Sequence, residues 1–219
     1  MDYKKELEQA RNHAVQCGRN GTKTSLEAHW EVCCGDVLCA EENLRNQNGT
    51  WENASLAREL LDIAHYLEGY DNMLDNLYAA VRRMRNALSD HPRLTIELLE
   101  LERTVIMRIE ALCDHELDAA EDVEAELSRY RHNVACADKG CFDAIVNMGH
   151  LKSDPIEWSA AYEDIIDEAD RKTYALLENH PRGMGFCLAY WNAKAQVLKT
   201  YYGIDWKSPA AMNPRVMFD

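Results

Sequence analysis

The sequence predicts an all-α fold, a helical bundle of six to seven helices built on a long antiparallel helical hairpin of about residues 51–88 and 95–134. Three observations predict it. Leu56, Leu60, Ile63, Leu67, Tyr70, Leu74, Leu77, Val81, Met84 and Leu88 follow one another at alternating steps of four and three residues, the period of a helix with one apolar seam. A second such seam, through Leu98, Leu101, Val105, Ile109, Leu112, Glu116, Ala120, Val123, Leu127, Tyr130 and Val134, begins just after Pro92. Strong helix formers dominate, and the 219 residues contain only 5 Pro and 10 Gly.

The elements follow in order. A first helix covers about Tyr3 to Cys17. Thr24 and Glu27 read as a capping box opening a helix over about 24–46, with Leu26, Trp30, Cys33, Val37, Ala40 and Leu44 on one face and Gly49 as its stop. Thr50 caps the first long helix, which at 1.5 Å per residue would run roughly 55 Å. Pro92 cannot continue a helix but suits a first turn, so the 89–94 stretch becomes the hairpin turn. A short helix is expected near Phe142–Met148 and another from Asp154, with Trp158, Tyr162, Ile165, Ala169 and Leu176 facing inward. A last helix ends near Tyr202, where Gly203 and Ile204 form its C-terminal cap. The tail 204–219 carries Trp206, Met212, Met217 and Phe218 and should dock on the bundle or on a partner, giving a single domain over 1–219.

Composition restricts the function classes. No stretch nears the ~20 uninterrupted apolar residues of a membrane span, and the N-terminus does not read as a signal peptide. Eight cysteines within helical patterns point to reduced thiols in a cytoplasmic protein, mostly small core residues. A net charge of −14 argues against direct binding to nucleic acid or to an anionic membrane, and favours a protein partner with a basic surface. There is no Gly-rich phosphate loop, no Gly-x-Ser-x-Gly, no Cys-x-x-Cys and no His-Glu-x-x-His.

Two segments, His29–Cys33 and His132–Cys136, place a histidine and a cysteine four residues apart, and together could supply four zinc ligands. Pairing of the helices about their turns argues against this, since it sets the two pairs roughly 20–25 Å apart along the axis. The same pairing gathers His29, Cys33, Asp62, His65, Glu68, His115 and Glu116 at one level. From these, His29, His65, His115 and Glu116 are candidate ligands for Zn, Fe or Mn, because Glu116 interrupts an apolar seam and a buried carboxylate must be paired, protonated or metal-bound. The competing reading is a hydrogen-bonded polar layer, such as a His65–Glu116 pair, that sets helix register.

Charge patterning is the second signal. Residues 97–128 hold eleven acids and two arginines. Glu110, Asp114, Asp118, Asp122 and Glu126 recur every fourth residue, with Glu121 beside them, which on one helix makes a negative strip rising about 6 Å per step. Arg82, Arg83, Arg85 and Arg93 gather at the hairpin tip, so that an acidic and a basic level of one rod could pair in a homodimer. The leading expectation is a non-enzymatic acidic interaction protein, an inhibitor presenting a nucleic-acid-like surface through Glu110, Asp114, Asp118, Glu121, Asp122 and Glu126 to a DNA- or RNA-binding protein. A metal-binding bundle enzyme and a structural oligomerisation module are the alternatives.

Overall fold

The computed structural model describes residues 2–218 and is helical throughout, with no strand among the described residues. Its contacts separate two compact units, Met1–Ser128 and Arg129–Asp219. No helix among the described residues is long and apolar enough to cross a membrane.

The first unit contains α1 (Tyr3–Cys17), α2 (Lys23–Arg45), α3 (Asn53–Leu67), α4 (Leu74–Ala87), α5 (Pro92–Cys113) and the start of α6 (Asp118–Asp138). α1 packs along α2, α2 lies against α3 and α4, and α5 lies against α3 and α4. Leu60, Leu67, Leu74, Leu77, Met84 and Leu98 are fully buried in its core, each removal from water stabilising by about 1.5–3 kcal/mol.

Both long helices of the expected hairpin are interrupted. The segment 51–88 is a 3-10 turn (Thr50–Glu52), then α3, then a second 3-10 turn (Asp71–Met73), then α4. Gly69 has weak helix propensity, and Tyr70 turns extended at φ −118°, ψ 113°, with its ring edge-on to Tyr66 at 5.7 Å. The apolar period runs through the break because Leu67, Met73 and Leu74 enter the same core on either side. The segment 95–134 divides into α5 and α6 at Asp114, which adopts the left-handed conformation at φ 50°. The hairpin pairing is therefore confined to shorter helices than the seams suggest.

Some ends differ in detail. α2 starts one residue early, with Thr22 as N-cap accepting from Ser25 N–H, so Thr24 lies inside the helix. α2 stops at Arg45 with Asn46 as its C-cap, ahead of the expected stop at Gly49; Gly49 instead precedes the next 3-10 turn, left-handed at φ 79°, where an added Cβ would lie 2.8 Å from Asn43 Oδ1. α5 begins at Pro92, as its N1 position allows.

The second unit contains the end of α6, α7 (Ala160–Glu163), α8 (Ile166–Leu176), α9 (Phe186–Tyr202) and α10 (Pro209–Met212). The helix expected near 142–148 is only a 3-10 turn, Phe142–Ala144. Tyr162, Ile166, Ala169, Val197, Leu198 and Trp206 form the core. α9 ends as expected: Gly203 is left-handed, and Ile204 N–H bonds the Leu198 carbonyl at 3.1 Å. Inside this unit, buried Lys194 sits 3.2 Å from Asp170 Oδ1, which also accepts from Tyr190 Oη at 2.8 Å. The rings of Tyr162, Tyr190 and Trp206 surround the ammonium at 5.4–5.7 Å.

The tail docks through polar staples as much as apolar ones. Asp154 caps its own turn and accepts from Lys207 N–H at 2.7 Å. Asn213 bonds both the N–H and the carbonyl of Lys152. Trp206 is buried and Phe218 meets Trp191 edge-on at 5.0 Å, whereas Met217 is 96% exposed and contributes nothing to the core.

Candidate functional site

The acidic residues fall around the corner between α5 and α6. Because α5 stops at Cys113, the every-fourth-residue strip is not carried on one helix, and its even rise is lost. Two of the six expected partner-binding acids are engaged internally. Glu110 accepts the Leu117 N–H at 2.7 Å, bracing the corner. Glu126 accepts from Arg85 Nη1 at 2.8 Å, while Arg85 Nε donates to Glu102 at 3.1 Å. Glu102 is 1% exposed, and burial raises its carboxyl pKa against the pull of Arg85. The other four, Asp114, Asp118, Glu121 and Asp122, are exposed, as is Glu116. None of these five carboxylates forms an ion pair with a described residue, because the nearby cations are committed elsewhere: Arg103 to Glu124 at 2.7 Å and Arg108 to Asp71 at 2.5 Å. Leu112 and Met107 on the same corner are 56% and 54% exposed. Two of the four arginines at the basic tip are paired within the unit: Arg83 grips Glu41 through two bonds and Arg85 holds Glu102 and Glu126.

The four candidate metal ligands are not gathered. His29 is buried, donating from Nδ1 to the Ser25 carbonyl at 2.8 Å, with its ring edge-on to Tyr66. His65 is exposed and has Glu68 3.6 Å away. His115 and Glu116 lie exposed in the α5–α6 connection. Glu116 interrupts the seam because the helix has already ended there, so no His65–Glu116 layer is buried. Among the described residues no three His, Cys, Asp or Glu side chains are placed to share a metal ion. His29–Cys33 and His132–Cys136 belong to different units.

A different polar cluster, not anticipated from the sequence, lies between α1, α2 and α3. Gly35 lets the two helices approach: a Cβ there would stand 2.9 Å from Leu7 Cδ1 and 3.4 Å from Leu7 Cα. One turn beyond Leu7, Arg11 then reaches Asp36 and Glu59. Arg11 Nε lies 3.0 Å from each Glu59 oxygen, and its Nη2 also bonds Glu59. The same Nη2 is 3.7 Å from Asp36 Oδ1. Asp36 is fully buried, and no N–H or O–H of a described residue donates to either of its oxygens. Burial first, and the Glu59 charge second, push its pKa from 3.8 to about 9 against the attraction of Arg11. Asp36 thus holds a proton at neutral pH, while the Glu59 carboxylate beside it is the one that Arg11 pairs. The signal was present in the sequence, since Asp36 is three residues from Cys33 and four from Ala40, on the apolar face of α2.

Glu59 and Arg11 form part of the wall of a pocket of about 260 Å³, completed by Arg19, His29, Asp62 and Ile63 among others. Arg19 and Asp62 are ion-paired across it. The arrangement sets one protonated and one ionised carboxyl near two guanidinium groups, a setting suited to moving a proton or orienting a small charged ligand.

Comparison of the chain with protein-family models, curated protein sequences and solved structures finds no match.

Proposed function

We propose that this chain is a non-enzymatic, cytoplasmic interaction protein whose α5–α6 corner engages a basic surface on a partner protein. The observation that carries the reading is the set of five exposed carboxylates, Asp114, Glu116, Asp118, Glu121 and Asp122, left without a cation beside exposed Leu112 and Met107. Apolar anchors within a charged rim are the usual composition of a protein-binding patch. A DNA- or RNA-binding protein fits as partner because its own site is basic, and the chain would then act as an inhibitor by occupying that site. The surface is a corner, so it competes for a cationic patch and does not trace a phosphate strand.

The test is capture of partners from the source organism's lysate by the wild-type chain and by Asp114→Asn, Asp118→Asn, Glu121→Gln, Asp122→Asn combined. Asn tolerates the left-handed backbone of position 114, so the fold survives. Loss of a basic partner that duplex DNA or RNA also displaces supports the reading; equal capture by both proteins removes it.

A second reading is favoured by one observation, the Asp36–Glu59 pair behind a pocket. In it the first unit is an acid–base enzyme for a small charged substrate. Thermal-shift screening against charged metabolites, with Glu59→Gln as control, decides it: no ligand shifting the wild type alone would dismiss it.

A further inference from the structure

α6 ends, within the second unit, in a Schellman turn. Gly140 is left-handed at φ 72°, its N–H bonds the Ala137 carbonyl at 2.9 Å, and the Cys141 N–H bonds the Cys136 carbonyl at 2.9 Å. This closure brings together the side chains at the third residue from the helix end and the second residue beyond its cap, ordinarily as an apolar contact. Here those two residues are Cys136, half-buried, and Cys141, exposed, both free thiols. The path from one α-carbon through carbonyl, hydrogen bond and amide to the other limits their separation to about 7 Å; disulfides span roughly 4.4–6.8 Å. The folded turn therefore holds the two α-carbons within about the reach of a disulfide.

A third group completes the site. His132, one helical turn before Cys136, places Nε2 3.6 Å from Cys136 Sγ and 3.1 Å from the Ala144 carbonyl oxygen. The carbonyl can only accept, so Nε2 carries a hydrogen, and that hydrogen is shared with the sulfur. The expectation that these cysteines are core residues is thus corrected: both are accessible, and one touches an imidazole.

We propose that Cys136 and Cys141 are a thiol-redox site that closes to a reversible disulfide on meeting a hydroperoxide, with the His132 Nε2–H stabilising the Cys136 thiolate. This inference is independent of the interaction surface on the first unit. In the first step the Cys136 thiol gives its proton to solvent, the thiolate accepts a hydrogen bond from His132 Nε2–H, and the sulfur attacks one peroxide oxygen. The O–O bond breaks, and the departing hydroxide takes up a proton from solvent, leaving Cys136 as sulfenic acid and one water. In the second step the Cys141 sulfur attacks the Cys136 sulfur, the S–O bond breaks, and the hydroxyl leaves as water with the Cys141 proton. Two thiols and one peroxide give one disulfide and two waters; a dithiol reductant reverses the change.

Lys139 lies between the two cysteines, which makes the test direct. The full reduced chain is exposed to limiting hydrogen peroxide, blocked with a maleimide and cut with trypsin. The expected product is the 132–139 peptide joined to the 140–152 peptide, separated again by dithiothreitol. In Cys141→Ser, Cys136 should stop at the sulfenic acid and be trapped by dimedone. In His132→Ala, closure should slow by about 10-fold through loss of the N–H donor to the thiolate, while maleimide labelling of the urea-unfolded chain stays unchanged. Joining of Cys136 to Cys113 or Cys187 in its place, or peroxide consuming exposed Cys113 while Cys136 and Cys141 stay reduced, would overturn the proposal. An unchanged closure rate in His132→Ala would overturn the role of the histidine.

Discussion

Arg11 Nη2 lies 3.7 Å from Asp36 Oδ1 while the same guanidinium grips Glu59, yet the Asp36 carboxyl still retains its proton. One arginine cannot neutralise two carboxylates, and Asp36 is the more deeply buried of the two, so the shared negative charge resides on Glu59.

This arrangement sets a pH dependence of stability. The folded-state pKa of Asp36 is raised, from 3.8 to about 9. Between those values the folded chain keeps a proton that the unfolded chain releases, so the contribution of Asp36 to stability falls as pH rises from about 4 to 9 and levels off beyond. Asp36→Asn fixes the neutral state. Its urea midpoint should exceed that of the wild type at pH 8, by about 1–3 kcal/mol in free energy, and the gap should close at pH 4. A constant difference at both pH values would refute the assignment of the proton.

Gly35→Ala should destabilise the first unit. On an open helix surface this exchange stabilises by about 1 kcal/mol. At this position the new methyl meets Leu7 Cδ1 at 2.9 Å and the Leu7 backbone at 3.4 Å, and α1 must move. A net loss of about 1–3 kcal/mol is expected, read by thermal melting. A gain in melting temperature would show that α1 is not held against α2 at Gly35.

How much of this was legible in the sequence depends on which force acted. The helical periods of α2 to α6 were readable because burial imposes a repeat on apolar residues. The interruption at Gly69–Tyr70 was not, because Leu67, Tyr70 and Leu74 keep the repeat while the backbone leaves the helix, nor was the one at Asp114. Glu116 was read as a buried polar residue in a seam; it is exposed because α5 had ended three residues earlier. Asp36 was overlooked for the opposite reason, as a single charge hidden on an apolar face whose partners, Arg11 and Glu59, come from distant sequence. The exposed acids at 114–122 were visible as composition, but which of them are free depended on Arg85 and Arg103 reaching Glu126 and Glu124.

Lys194→Met should strongly destabilise the second unit. It leaves Asp170, about one-tenth exposed, without its ammonium and removes the cation from between Tyr162, Tyr190 and Trp206. Breaking a buried pair on one side costs about 3–5 kcal/mol. The double variant Lys194→Met, Asp170→Asn should recover more than half of the loss in a double-mutant cycle. Additive losses would mean that the pair contributes no coupling.

The interaction reading is tested most directly by amide hydrogen exchange of the chain alone and in complex with its captured partner. The expected result is protection concentrated on the α5–α6 corner, about residues 107–122, that weakens as salt is raised. Protection confined to the Arg11–Glu59 pocket or to the second unit, with the corner exchanging freely, would contradict it.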